Sequence, residues 1–361
     1  MKKKRNPFKP TFGSVPAAMA GRDDIIEDIL EGLDNAPGDP NRASVFVGAR
    51  GTGKTVLMVR IAAMAEERGW IAVNVTSGKG LFEEIFVQIS DKASHILDQD
   101  SLRRISGLSV AGLSVSFELT KEKSTWRSEM TKIISELNSN NVGLLITVDE
   151  INAGDEELKH LIDIFQHFVR EERNVALLLA GLPSNVSSLL LDEKVSFIRR
   201  AFRHDMEAIS ITDVAYALKE TVENAGRRID DDALWMAAEM TEGFAFAIQL
   251  VGYHMWRQNP ESEVICADDV ERSVEFVKRD MKRAVIDTVM MEMTPKEKEF
   301  LKTMAGFEDD ECSTLEISES MGISPNNGAH LRKRLIERGV ITPAGRGKVR
   351  FAQSMMKEYL I

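Results

Sequence analysis

Eight residues constrain this chain more than any others: "GARGTGKT", Gly48 to Thr55. Their spacing is G-x-x-x-x-G-K-[ST]. The apolar run "ASVFVG" precedes them, and a helical run from Thr55 to Arg68, closed by Gly69, follows. A glycine-rich turn between a buried strand and a helix can point successive backbone N–H groups inward, and the helix N-terminus adds partial positive charge. That is what a triphosphate needs from a loop in an α/β sheet. Gly48, Ala49, Arg50, Gly51, Thr52, Gly53, Lys54, Thr55 and Val56 are therefore the candidate nucleotide contacts. Lys54 is expected to reach the β- and γ-phosphates and Thr55 to place its hydroxyl on Mg²⁺.

A loop of this kind requires a carboxylate at the end of a neighbouring strand. "VGLLITVDE" (Val142–Glu150) is a nearly continuous apolar run ending in two of them. Asp149 is the expected metal ligand, directly or through water, and Glu150 the group that polarises the attacking water. Adjacent acids at this point favour ATP hydrolysis over nucleotide storage. A strand that merely ends in acidic residues is the plainer alternative.

The rest of the chain reads as further layers of the same α/β design. Apolar positions Ile25, Ile26, Ile29, Leu30 and Leu33 give an early helix, broken by "DNAPGDPNR". "WIAVNV", "NVALLLAG" and "MEAISI" (Met206–Ile211) add strands to "ASVFV" and "GLLITVD", five in all. Strands apolar on both faces and separated by helices predict a parallel sheet. "GLSVAGLSVSFEL" (Gly107–Leu119) alternates small and β-branched residues around Gly112, which predicts a hairpin inserted in this domain. After Ile211 the strands stop and four helices follow, the last from near Ala267 and extending toward a linker. From Thr294 a compact helical module ending in a hairpin is expected.

Composition narrows the function classes. A length of 361 residues accommodates two or three domains. A net charge of −11 argues against a chain that coats nucleic acid throughout, but leaves room for one basic module. The two cysteines, Cys266 and Cys312, have no CxxC partners, so neither a disulfide framework nor a zinc site is expected, and a reducing cytoplasm fits. No run of 18 apolar residues predicts a membrane span. "MKKKRNPFKP" has no apolar segment behind its charges, so it is not a secretory signal, and its "KKKR" reads as a frayed, solvated terminus.

Together these motifs make the chain resemble the AAA+ P-loop ATPases, and within them the origin-recognition initiator-like and archaeal, STAND-related branches, over nearly its whole length. "GARGTGKT" stands as the Walker A motif and "LLITVDE" as the Walker B motif. The resemblance implies a five-stranded AAA+ sheet over residues 1–211, a helical lid over 212–290 and a winged-helix domain over 291–361, with ATP and Mg²⁺ as cofactors. Gly21 and Arg22 in "AGRDDIIEDI" match the box that packs near the adenine in that family. "LLLAGLPSNV" sits at the sensor strand, which makes Asn185 or Ser184 the polar residue near the γ-phosphate. In "VSFIRRAFRH" an arginine is expected to reach a neighbouring subunit's nucleotide. Arg200 is the first choice over Arg199 and Arg203, and implies self-association; an exposed basic face is the alternative. One departure concerns the lid: in "TEGFAFAIQLVG" Phe246 occupies the place of the lid arginine, and Ala245 that of the proline in a related G-[YF]-P pattern.

The C-terminal module carries the opposite charge to the whole. From Gly322 to Ile361 there are eight Lys/Arg against two acidic residues. "TLEISESMGISPNNGAHLRKRLIERG" reads as helix, turn, helix, and "VITPAGRGKVRFA" as two β runs about a turn at Gly345–Gly347. This resembles a winged helix-turn-helix, which implies Arg332, Arg334, Arg346 and Lys348 as contacts to duplex DNA. Short polar residues in "PNNGAH" predict weak base specificity. Two functions follow: an ATP-hydrolysing protein whose nucleotide state controls a DNA-contacting winged helix, or a STAND-like switch that acts by protein association, with slow hydrolysis. A small-molecule kinase is the weakest reading, because no acceptor site is evident.

Overall fold

A computed structural model describes residues 4–11, 13–102, 119–353 and 355–360. The expected hairpin over 107–119 lies outside them, apart from Leu119, which opens a helix. The chain forms two compact units. One comprises Asp24–Val47 and Lys54–Asp205, the other Met1–Asp23, Gly48–Gly53 and Met206–Ile361.

The first unit is built on a parallel five-stranded sheet. Its strands are β1 (Ala43–Val47), β2 (Ile71–Thr76), β3 (Leu144–Asp149), β4 (Val175–Gly181) and β5 (Phe202–Asp205), in the order β2-β3-β4-β1-β5. All seven residues of β4 are buried, as befits a strand covered on both faces. The helices are α1 (Asp23–Asp34), α2 (Lys54–Glu67), α3 (Leu81–Ala93), α4 (Leu119–Ser139), α5 (Glu156–Arg170) and α6 (Pro183–Leu191). Helix α5 shows how they dock. Asp155 caps it by accepting from the Glu157 N–H, and Leu158, Leu161, Ile162, Phe165 and Phe168 turn one stripe to the core. Each such side chain contributes about 1.5–3 kcal/mol on burial. Arg42 closes the end of α1: its buried guanidinium donates to the carbonyls of Gly32 (2.7 Å), Leu33 (2.8 Å) and Asn35, and lies over the Trp70 ring.

The fifth strand differs from expectation. The sheet ends in Phe202–Asp205, which pairs with β1 from Ser44↔Phe202 to Val47↔Asp205, and not in Met206–Ile211. The polar "FRHD" suits an edge, where one side of the ladder is open. Ile209 instead joins the core of the helical unit, and Ser210 caps the next helix through the Asp213 N–H.

In that second unit, α7 (Ile211–Asn224), α8 (Asp231–Met240), α9 (Ala245–Gln258) and α10 (Ala267–Met281) pack together, with a short parallel pair β6 (Arg228–Ile229) and β7 (Val264–Ile265). Arg227 repeats the device of Arg42, donating to the carbonyls of Trp256 (2.9 Å) and Asn259 (3.1 Å) beneath the Trp256 ring. The N-terminal segment is not frayed from Lys4 onward. Phe8 is buried against Gly252, where a Cβ would come within 2.3 Å of its ring. The Asn6 amide donates to the Tyr253 carbonyl at 3.0 Å, and the Lys4 ammonium to that of Gly226. Helix α10 continues through one π-helical turn (Lys282–Ile286) into α11 (Asp287–Met291).

The same unit contains a C-terminal module with its own core around Phe300, Leu301, Met304, Ile317 and Leu335. It runs α12 (Pro295–Ala305), β8 (Cys312–Ser313), α13 (Thr314–Ser320), α14 (Pro325–Glu337), β9 (Ile341–Pro343), β10 (Lys348–Phe351) and α15 (Met355–Leu360). A Thr294–Glu297 capping box starts α12. The turn between α13 and α14 holds Gly322 at φ +65°. Strands β8, β10 and β9 form one antiparallel sheet. Two helices joined by a turn, and two short strands after them, stand where the sequence suggested them.

Candidate active site

Strand register brings the lysine-threonine end of the loop to the acidic end of β3. Lys54 and Thr55 open α2 directly after the glycines. The Thr55 hydroxyl donates to Asp149 Oδ2, and the Glu150 N–H donates to Asp149 Oδ1 at 2.8 Å. Glu150 sits at φ +50°, a left-handed conformation that costs a residue with a long side chain about 1–3 kcal/mol. Neighbouring bonds hold it there. The Ile151 N–H donates to the Ala180 carbonyl (2.9 Å) and the Ser77 N–H to the Asp149 carbonyl (3.0 Å). The Glu150 carboxylate remains exposed.

A polar layer behind this point was missed by sequence reasoning. The Ser77 hydroxyl donates to Asp155 (2.7 Å) and accepts from the Asn152 N–H (3.2 Å). Glu157 accepts from the Gly80 (3.1 Å) and Phe82 (3.4 Å) amides, and its burial raises its pKa above the usual carboxylate value. The signal was only "TSGKG" facing "DEEL", with nothing to pair them in advance. Ser184 and Asn185 occupy the first turn of α6, half-buried, directly after β4. Arg200 ends a 3₁₀ run, Glu193–Arg200, and is exposed. Arg199 donates to the Leu190 carbonyl (2.6 Å), and Arg203 lies on β5 paired with Asp205 (2.7 Å).

The glycine end of the loop, Gly48–Gly53, packs within the helical unit. Gly51 takes φ +78° and Gly53 φ +91°, conformations open to glycine. Phe244 covers Gly51 so closely that a Cβ there would meet its ring at 2.5 Å. The Phe246 N–H donates to the Gly51 carbonyl at 3.2 Å. Phe246, which stands at the place of the expected lid arginine, thus brings a backbone donor to the loop. Thr52 Oγ1 donates to the Ala49 carbonyl (2.9 Å), and Arg50 Nη1 pairs with Glu292 Oε1 (2.7 Å). In the same unit Gly21 (φ +55°) lies beside Asp213, and Arg22 donates to the Glu207 carbonyl at 2.7 Å. Burial lowers the Arg22 pKa, against the pull of Asp213 and Glu207.

The donor set suits magnesium. A hydroxyl and a carboxylate already in contact are the oxygen ligands a hard cation takes when phosphates and water complete its shell. Among the described residues there is no larger cluster of metal-ligating side chains.

The four basic residues singled out in the C-terminal module, Arg332, Arg334, Arg346 and Lys348, divide. Arg346 and Lys348 are exposed at and beside the β9–β10 turn. Arg332 is half-buried, with no hydrogen-bond partner at Nε. Arg334 is drawn back to the fully buried Glu297 at 2.9 Å, with Arg338 at 3.6 Å. Although burial acts to raise it, the Glu297 carboxyl is held below its usual range by hydrogen bonds from Thr294 and the charges of Arg338 and Arg334.

Comparison with known proteins follows this geometry. Residues 38–190 match the family described as "AAA domain". Residues 284–360 match one described as "Domain of unknown function (DUF8462)". No curated protein matches the chain. The Walker-type ATPase of Pyrococcus abyssi has a similar structure, with TM-score 0.69 and 16% identity, covering 95% of this chain and 96% of that one. The Aeropyrum pernix ORC2 protein gives TM-score 0.65 and 12% identity, covering 97% and 94%. Cdc6p from Pyrobaculum aerophilum gives 0.50 and 15%, covering 97% and 96%. The five-stranded sheet with its helices matches the AAA+ P-loop NTPase fold. No helix among the described residues is long and apolar enough to cross a membrane.

Proposed function

We propose that this protein binds and hydrolyses ATP in the Gly48–Thr55 loop, and that its nucleotide state controls how a C-terminal winged helix engages duplex DNA. The observation that carries the reading is the Thr55–Asp149 contact beside a strained Glu150. Lys54 and the loop amides bind and orient the phosphates, and Thr55 and Asp149 are the residues that would hold Mg²⁺. When bound, Mg²⁺ supplies charge neutralisation at the β- and γ-phosphates. Glu150 accepts the proton of the attacking water, its backbone fixed by Asp149 and Ile151. Asn185 serves as sensor, Arg200 completes a neighbouring subunit's site, and Gly21 and Arg22 lie toward the base. The domains run 1–211, 212–290 and 291–361, and the protein works in the cytoplasm. For DNA, Arg346 and Lys348 contribute most, with Arg332 and Arg334 beside them. The archaeal ORC likeness supports this reading, as does the basic tail. ATPase rate measured against protein concentration, with and without duplex DNA, tests hydrolysis, self-association and coupling together. A rate unchanged by Lys54→Ala overturns the reading.

A second reading, a nucleotide switch acting through protein association, is favoured by one observation: Arg334 is engaged by Glu297 within its own module. A salt-titrated DNA-binding assay separates the two. Affinity that falls steeply with salt and is lost with Arg346→Ala and Lys348→Ala supports the first.

A further inference from the structure

One buried carboxylate in the C-terminal module answers two arginines. Glu297, in the first turn of α12, is fully buried and closes the capping box with Thr294, whose N–H (2.8 Å) and hydroxyl (2.7 Å) both donate to Oε2. Its other oxygen, Oε1, faces Arg334 at 2.9 Å and Arg338 at 3.6 Å. No aligned hydrogen bond reaches Oε1 among the described residues, so charge holds these arginines and not directed bonding. A buried carboxylate needs an opposite charge beside it, and breaking its last pair is strongly unfavourable. With two guanidiniums present, one can leave without orphaning Glu297.

Arg334 is the one placed to leave. It stands four residues after His330 and seven after Asn327, so the three share one exposed face of α14. Arg338 lies a turn further on, half-buried at the end of the helix. The Asn327–Arg334 face is the one that the DNA reading turns to the duplex. A phosphate arriving there competes with Glu297 for the same guanidinium. We infer that Glu297 is an internal stand-in for phosphate, which holds Arg334 off the DNA face and so sets both the affinity and the salt dependence of DNA binding. The inference rests on the DNA reading above and adds to it the residue that tunes it. Arg334 therefore contributes little to affinity in the unaltered protein, exposed though it is, because each contact it makes to DNA is offset by the pair it gives up.

The test uses the full chain and a fluorescent duplex, with binding isotherms between about 50 and 200 mM salt. Glu297→Gln removes the charge and keeps the capping box, which accepts glutamine in place of glutamate. The variant is expected to bind duplex about three- to tenfold tighter at low salt, with its log–log salt slope steeper by about one. Arg334→Ala is expected to weaken binding by less than about twofold in the unaltered protein, yet to cancel most of the gain in the Glu297→Gln background, a coupling that independent sites would not show. An unchanged slope in Glu297→Gln, or a gain that survives Arg334→Ala, overturns the inference alone. Should Glu297→Gln fail to fold, as its thermal melt would show, Arg334→Ala is set beside Arg346→Ala in the unaltered protein. Equal losses overturn the inference, and a loss confined to Arg346→Ala supports it. Duplex left unbound by the unaltered protein and by Glu297→Gln alike overturns the DNA reading, and the inference with it.

Discussion

The two ends of one eight-residue loop are held by different means. Lys54 and Thr55 begin a helix of the sheet unit, and Thr55 meets Asp149 because strands buried on both faces admit one register. Gly48–Gly53 take their partners from residues around 206, 244–246, 292 and 339. Those partners include an aromatic ring, a backbone hydrogen bond and an exposed ion pair. The lysine-threonine end is thus held by the sheet, whereas the glycine end is held by side chains and backbone of the helical unit.

Four changes probe that division, the largest effect first. Glu150→Gln removes the proton acceptor at the sheet-held end. ATP turnover should fall about 10²–10⁴-fold with nucleotide still bound, measured by phosphate release beside equilibrium binding. Binding lost along with turnover would show that the ends are not separable. Phe244→Ala strikes the other end. The ring is nine-tenths buried in the helical unit's core, so denaturant unfolding should show a loss of about 3 kcal/mol. Gly51→Ala places a methyl against that ring in a left-handed conformation, at a cost of about 1–3 kcal/mol. Calorimetry should also show weaker nucleotide binding, while a change in affinity without a change in stability would contradict the packing. The smallest effect is set by pH. Burial lowers the pKa of His204 in the sheet unit and of His254 in the helical unit, the latter despite its bond to Asp280. Their neutral forms belong to the fold, so the unfolded chain binds more protons as pH falls through about 6.5. Stability should be complete above that value and decline below it, and His254→Gln should flatten the slope in the helical unit.

What the sequence made legible follows the same line. "ASVFV", "GLLITVD" and "VALLLAG" were readable as strands because burial on both faces demands unbroken apolar runs, and "GARGTGKT" because phosphate binding demands its glycines. The edge strand "FRHD" was not, since three of its four residues are exposed and none needs to be apolar. "MEAISI" looked more like a strand, but it is irregular, and Ile209 within it goes to the helical core. The loss of Arg334 to Glu297 was hidden as well. Surface charges carry no periodicity, and a buried glutamate within "TPKEKEF" looks like its exposed neighbours. The docking of Phe8 against Gly252 depended on two residues that no local pattern connects.

The helical unit is assembled from three separate stretches, Met1–Asp23, Gly48–Gly53 and Met206–Ile361, whereas the sheet unit is finished at Asp205. During synthesis the nascent sheet can therefore fold on the ribosome while Phe8 and the glycines still await partners not yet translated. Thr55 can meet Asp149 early, but Arg50 cannot find Glu292 until just over four-fifths of the polypeptide has emerged. A newly made molecule thus passes through an interval in which Thr55 and Asp149 can already be together while Arg50 still lacks Glu292.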